Sequence, residues 1–302
     1  MLRAMKRIIV LSALFIILLA GVAVVKREPL ILGVFASKIP DIAIADHENW
    51  IAPHIEFRPP ATGTAPFPTV LMFHGCAGLR QGFMDHWSAV INEAGYMAVL
   101  VDSHAPRNID YDEASETVCQ GKRLLGQERA GDLLAAYRLV RENEAVDQTA
   151  LFMAGWSHGA WSIMDLLTMD MKKARPAQLQ RENLTTIKPA GAILFYPYCG
   201  VGTRSRFAKW QHAPETLAFV AGADTIVNGE ECLDMFKEMT SDGLLLDLHY
   251  YPSADHVFDD PTLDAENFEK YYNEKYATAA VEAVRGFLLK QKEEYRGSFS
   301  DL

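Results

Sequence analysis

Leu151-Phe152-Met153-Ala154-Gly155-Trp156-Ser157-His158-Gly159 is the segment from which the architecture of this 302-residue chain is most directly read. An apolar run of strand length enters Gly-Trp-Ser-His-Gly, and Ala160 to Leu167 continues with helical spacing. A strand that feeds a helix through a serine flanked by glycines is the G-x-S-x-G elbow. The sharp turn lifts the hydroxyl clear of the sheet edge, and the glycines let backbones approach where a Cβ would clash. Two plainer readings are a Gly-rich turn that holds a serine by chance and a serine that merely caps the helix.

Outward from the elbow, similar apolar runs recur at Val70–Phe73, Met97–Val101, Ala192–Phe195, Leu217–Val220 and Leu244–Tyr250. Between them lie amphipathic segments, such as Ala130, Leu133, Leu134, Tyr137 and Val140 on one helical face, and Ala280, Val281, Val284, Phe287 and Leu288 on another. Strands covered on both faces by crossover helices read as unbroken apolar runs, so the alternation predicts a three-layer α/β domain with a mostly parallel sheet. Chemistry in such sheets gathers at the carboxyl ends of the strands. Upstream, Ile42, Ile44, Ile55 and Phe57 alternate as an edge hairpin would, and Pro59 to Pro66 reads as a loop.

The first run leads into His74-Gly75-Cys76-Ala77-Gly78. Acyl transfer places negative charge on a carbonyl oxygen, which two backbone N–H groups can stabilise. The loop after this strand supplies one and the residue after the nucleophile the other, which assigns them to Cys76, with Ala77 as substitute, and His158. His74 is read as an ordered loop residue bonded to backbone. No acid follows the run at Ala192–Phe195, since Pro197 to Pro214 contain no Asp or Glu. The next run ends in Gly222-Ala223-Asp224, which places Asp224 at a strand end as the orienting carboxylate. The downstream histidines are His158, His212, His249 and His256; His158 is committed to the elbow and His249 lies within a strand, whereas His256 follows the last strand by a short loop. Ser157, Asp224 and His256 thus occur in the order that nucleophile, acid and base take in a fold of this kind. A neutral imidazole near pH 7 can accept the serine proton while the carboxylate fixes its tautomer.

The N-terminus stands apart. Arg3, Lys6 and Arg7 precede an 18-residue run without a charge, Ile8 to Val25, apolar but for Ser12 and closed by Lys26 and Arg27. That length favours an uncleaved membrane anchor over a removed signal peptide, although Ala20, Gly21 and Ala23 offer a cleavage site. The basic flank predicts that the body faces the periplasm or another extracytoplasmic side. The expected layout is a signal anchor or signal peptide at residues 1–27, a spacer at 28–40 and one domain at 41–302. With a net charge of −10 the body has no basic field for a polyanion, so nucleic acid is not an expected partner. Four cysteines, Cys76, Cys119, Cys199 and Cys232, permit two bridges in three connectivities or remain as free buried thiols. They lack CxxC spacing, so no metal is expected, and nothing calls for a cofactor.

Taken together, His74-Gly75-Cys76-Ala77-Gly78, Val101-Asp102-Ser103 with Pro106-Arg107, Cys119, Gly155-Trp156-Ser157-His158-Gly159, Phe195-Tyr196-Pro197-Tyr198, Asp224 and Tyr251-Pro252 to His256 resemble the dienelactone hydrolase family. The resemblance runs from about Thr69 to the C-terminus. It implies an α/β-hydrolase fold with a mostly parallel sheet of about eight strands flanked by helices, here preceded by the N-terminal hydrophobic anchor helix. It also implies hydrolysis of a small-molecule ester or lactone, a pairing of Cys76 with Cys119 near the active-site mouth, and a substrate pocket drawing on Asp102, Arg107, Trp156 and Tyr198, some of which could simply bond a loop. Enzymes that open dienelactone carry cysteine at the elbow where this chain has Ser157, so the resemblance speaks to mechanism more than to substrate. A peptidase of the same fold and a non-catalytic binding protein are the competing readings.

Overall fold

Residues 42–300 are described by the computed structural model. Seven strands form: β1 (Ile55–Arg58), β2 (Phe67–Phe73), β3 (Met97–Val101), β4 (Val146–Trp156), β5 (Gly191–Phe195), β6 (Glu215–Ala221) and β7 (Leu246–Tyr251). They lie in the order β1-β3-β2-β4-β5-β6-β7. All pairings are parallel except that of β1, which runs antiparallel to β3 at the edge. The described residues therefore hold seven strands where about eight are implied by the resemblance.

The longer helices are α1 (Ile44–Ile51), α2 (Gln81–Glu93), α3 (Gly126–Arg141), α4 (His158–Leu167), α5 (Gly229–Ser241), α6 (Ala265–Tyr271) and α7 (Glu274–Ser300). Each apolar strand feeds two cores, because successive side chains leave the sheet on opposite faces. Leu71, Phe73 and Met153 join one core with residues of α3 and α4. Val70, Met72, Phe152 and Ala154 join the other with Trp87 and Ile91 of α2 and Val284 and Leu288 of α7. Both faces of the sheet are covered by buried apolar side chains, which explains why the strands read as continuous apolar runs.

The expected hairpin at Ile42 and Ile44 is not formed. Ile44, His47 and Ile51 are buried at helical spacing on α1, and Ile42 makes only an isolated parallel bridge to Leu179. Two isoleucines two residues apart satisfy a period of two by accident; the wider window carries a period near 3.6. Ile55 and Phe57 do lie in a strand, β1, at the sheet edge. The apolar run at residues 8–25 and the spacer at 28–40 lie outside the described residues. Among the described residues no helix is long and apolar enough to cross a membrane.

Sheet order sets the site. Gly155 of β4 is in register with Phe73 of β2, and Trp156 with Phe195 of β5. The turn after β4 therefore opens between the ends of β2 and β5, with the ends of β6 and β7 in sequence beyond.

Candidate active site

Ser157 sits between β4 and α4 with φ 52° and ψ −112°, a conformation that non-glycine residues rarely adopt. The flanking glycines explain how the chain reaches it. A Cβ on Gly155 would lie 2.6 Å from the Ala160 nitrogen, and one on Gly159 would lie 2.1 Å from the Phe73 carbonyl oxygen. The elbow is thus pressed onto the end of β2 at backbone contact, which only glycine permits.

His256, on the loop after β7, brings Nε2 to 2.9 Å from Ser157 Oγ, and its Nδ1 lies 2.7 Å from Asp224 Oδ2. The other Asp224 oxygen accepts the backbone N–H groups of Ile226 (2.9 Å) and Val227 (2.8 Å), so the carboxylate is held from both ends. Ser157 and His256 are 8% and 6% exposed, enough to exclude bulk water while leaving an approach to the hydroxyl. The three side chains that sequence order singles out are brought into one hydrogen-bonded line.

Further residues that sequence reasoning missed hold this line. Asp255 accepts the His256 N–H (2.7 Å) and both the N–H (2.7 Å) and hydroxyl of Thr225, lacing the base loop to the acid loop. Asp259 is buried and accepts from Trp87 Nε1 (3.0 Å), Trp156 Nε1 (3.1 Å) and the Tyr196 hydroxyl (2.8 Å). Burial raises its carboxyl to about 7 even against the hydrogen bond from Tyr196. Its neighbour Asp260 pairs with Arg80. Acidic residues on a polar loop read as solvated, and nothing local announces that three aromatic donors converge on one of them.

Cys76 lies on the loop after β2, against the elbow: a Cβ on Gly75 would sit 3.7 Å from Ser157 Cβ. Neither the Cys76 nor the His158 backbone N–H donates to an acceptor among the described residues. His158 is the first residue of α4, where a helix leaves its N–H groups unpaired. His74 behaves as a loop-ordering residue: Nδ1 donates to the Gly75 carbonyl (2.7 Å) and Nε2 accepts from Ser103 N–H (3.1 Å). Cys76 is bonded to Cys119, and Cys199 to Cys232, so the four thiols are all paired.

Cys119 belongs to an excursion between β3 and α3, residues 102–125, in which a helical turn Tyr111–Glu113 runs into one π turn, Ala114–Val118. Ile109, Ala114, Val118 and Leu124 form a small core of their own against Cys76. The excursion is a cap fastened to the loop after β2 by packing and by the disulfide.

The four pocket candidates fare differently. Trp156 is corrected: it is 2% exposed, stacked on Phe195 beneath the sheet and bonded to Asp259, because the residue before the elbow still belongs to β4 and points into the core. Arg107 is corrected as well, since its guanidinium forks onto Asp132 (2.9 Å to each oxygen) and donates to the Ser103 carbonyl. Burial opposes the Asp132 anion, yet Arg107 and His47 together hold it below the usual carboxylate range. Asp102 accepts from the N–H groups of His104 (2.8 Å) and Ala105 (3.1 Å) and so builds the loop after β3. Tyr198 is half-buried with its ring 5.0 Å from that of Trp161, and stays the candidate with surface to offer a ligand.

No curated protein matches the chain. Among solved structures, an esterase from the planctomycete Thermogutta terrifontis with propionate bound superposes with a TM-score of 0.57 at 16% identity, covering 78% of this chain and 88% of that one. The same esterase phosphonylated by cyclosarin gives 0.58 at 16% identity, with 78% and 88% covered. A putative dienelactone hydrolase from Klebsiella pneumoniae subsp. pneumoniae MGH 78578 gives 0.57 at 15% identity, with 78% and 91% covered. At these identities the likeness is one of fold. The family model for dienelactone hydrolases matches residues 57–291, nearly the whole described body, and this chain belongs to the dienelactone hydrolase family.

Proposed function

We propose that this family member, a hydrolase acting on esters, cleaves a carboxylic ester or lactone through an acyl intermediate on Ser157. The observation that carries the reading is the continuous line from Ser157 Oγ to His256 Nε2 (2.9 Å) and from His256 Nδ1 to Asp224 (2.7 Å). Ser157 attacks the carbonyl carbon as His256 takes its proton, while Asp224 keeps Nδ1 protonated and offsets the imidazolium charge. The N–H groups of Cys76 and His158 receive the oxyanion. The intermediate collapses, the alkoxide leaves with the proton from His256, and a water activated by the same imidazole releases the acid.

Labelling with a fluorophosphonate tests the step that defines the mechanism. Wild type is expected to gain the adduct on the peptide containing Ser157 and to hydrolyse p-nitrophenyl esters, and Ser157→Ala to do neither. An intact, folded wild type that resists the probe and turns over no ester overturns the reading. The esterase neighbour holds propionate in one structure and butyrate in another, so the substrate panel begins with short acyl chains and simple lactones.

The same proposal extends to location. The basic flank and the apolar run at residues 8–25 carry the body across a membrane and anchor it, and two disulfides suit an oxidising compartment. A fusion of residues 1–40 to a reporter active only after export is expected to be active and to sediment with membranes; a fusion that is expressed but stays inactive removes this part.

A further inference from the structure

Arg129, the fourth residue of α3, is fully buried behind the elbow. Its Nη1 lies 2.7 Å from the His74 carbonyl oxygen and 3.0 Å from His158 Nδ1, and its Nε lies 3.0 Å from Ser103 Oγ. Nη2 finds no acceptor among the described residues. Every acceptor it does find is uncharged. A buried guanidinium is ordinarily matched by a carboxylate, because an unpaired ion in a dry interior is costly. The two carboxylates whose charges reach it, Asp132 and Asp102, accept their hydrogen bonds elsewhere: Asp132 from Arg107 and His47, and Asp102 from the turn at His104 and Ala105. The imidazoles around it add no charge. His74, His104 and His158 are all held neutral, by burial first and then by the cations and imidazoles packed around them, Arg129 among them. Burial lowers Arg129 itself only to about 10, so it stays a cation at neutral pH.

Two of its three acceptors belong to the two segments assigned to the oxyanion. The His74 carbonyl ends β2 just before Cys76, and the same oxygen would lie 2.8 Å from a Cβ on Gly159. The donated hydrogen bond at His158 Nδ1 requires the tautomer with its proton on Nε2, which orders the ring of the residue that follows the nucleophile. We infer that Arg129 is a positioning residue that clamps the loop after β2 to the first turn of α4 and sets a fixed positive charge behind the oxyanion these segments receive. This inference rests on the hydrolase reading above. It explains why an ion stands where neutral donors could make the same three hydrogen bonds: negative charge on the substrate oxygen arises only in the transition state, when the cation gains a counter-charge beyond the distant carboxylates.

The test compares Arg129→Met, Arg129→Gln and Arg129→Lys with wild type on one p-nitrophenyl ester. Met and Gln are expected to lower kcat by about 10- to 100-fold with KM within about threefold, below the loss on removing a direct oxyanion donor. The rate of phosphonylation should fall in parallel. Removing a cation packed behind the elbow should also move the acid limb of the kcat/KM profile to higher pH. Lys, which keeps the charge, should restore much of kcat and leave that limb in place. A merely structural role predicts something else: losses that follow thermal stability, no movement of the limb, and Lys no better than Gln. That pattern overturns the inference, as does a folded Met variant with kcat within threefold of wild type. Should Met fail to fold, Gln against Lys decides by the same criteria. Active wild type with insensitive Arg129 variants removes the inference alone, whereas a wild type that neither hydrolyses esters nor takes the probe removes both.

Discussion

Ser157, Asp224 and His256 form the line, but Asp255 sets how well it is aligned. Its carboxylate grips Thr225, one residue beyond the acid, and the backbone N–H of the base itself. Asp255→Ala should therefore leave the triad chemically intact and mispositioned. The expected result is a fall in kcat of about 10- to 100-fold with little change in KM, since small errors in placement are costly for proton transfer. Asp224→Asn should be more severe, on the order of 10³- to 10⁴-fold in kcat, because an amide can donate to Nδ1 and so favour the wrong tautomer. Steady-state kinetics on one ester check both. If Asp255→Ala matches wild type, the lacing of the two loops is irrelevant to turnover.

Two fastenings join elements that are far apart in sequence. The cap between β3 and α3 is tied to the loop after β2 by Cys76–Cys119, which closes 43 residues of chain. Cys119→Ser should cost about 2–4 kcal/mol of stability, chiefly by freeing the unfolded chain. It should also lower kcat by loosening the loop that carries Cys76. Thermal melts and kinetics read the two effects separately. The second fastening is Asp259, which binds the base loop to α2, β4 and the residue after β5 through Trp87, Trp156 and Tyr196. Asp259→Ala strands three buried donors, each costing about 1–3 kcal/mol, and is expected to destabilise far more than Asp259→Asn. Equal unfolding midpoints for these two variants would contradict this account.

Among the described residues burial raises two carboxyl groups well above their ordinary value, Asp259 to about 7 and Asp165 to about 8. Both lie above the ordinary value near 3.8 expected in the unfolded chain. Between about pH 4 and pH 8 the folded state then holds protons that the unfolded state has released, so these groups make stability fall as pH rises through that window. Asp132 acts in the opposite sense and at lower pH, because its folded-state value is depressed: its contribution is present above the ordinary carboxylate range and is lost on acidification. Urea denaturation at pH 5 and pH 8 is expected to show greater stability at pH 5 for wild type, and a smaller difference for Asp165→Asn. A wild type that gains stability from pH 5 to pH 8 goes against this assignment.

The triad was legible in the chain because each member follows an apolar strand-length run, and the alternation of strand and helix patterns constrains where those strand ends can go. The same local logic misplaced Ile42 and Ile44, where a two-residue window could not tell period two from 3.6, and placed Trp156 in a pocket though it still belongs to β4. Arg129 and Asp132 sit on a helix whose one apolar face reads as its buried side. Folding covers all of residues 126–137, because α1 lies on this helix and Arg107 of the cap pairs with Asp132 on its polar face. Periodicity reports which way a side chain leaves its own element. It carries no information about which distant element will lie above it, and buried polar groups such as Arg129 and Asp259 acquire their partners only when residues up to 172 positions apart are packed together.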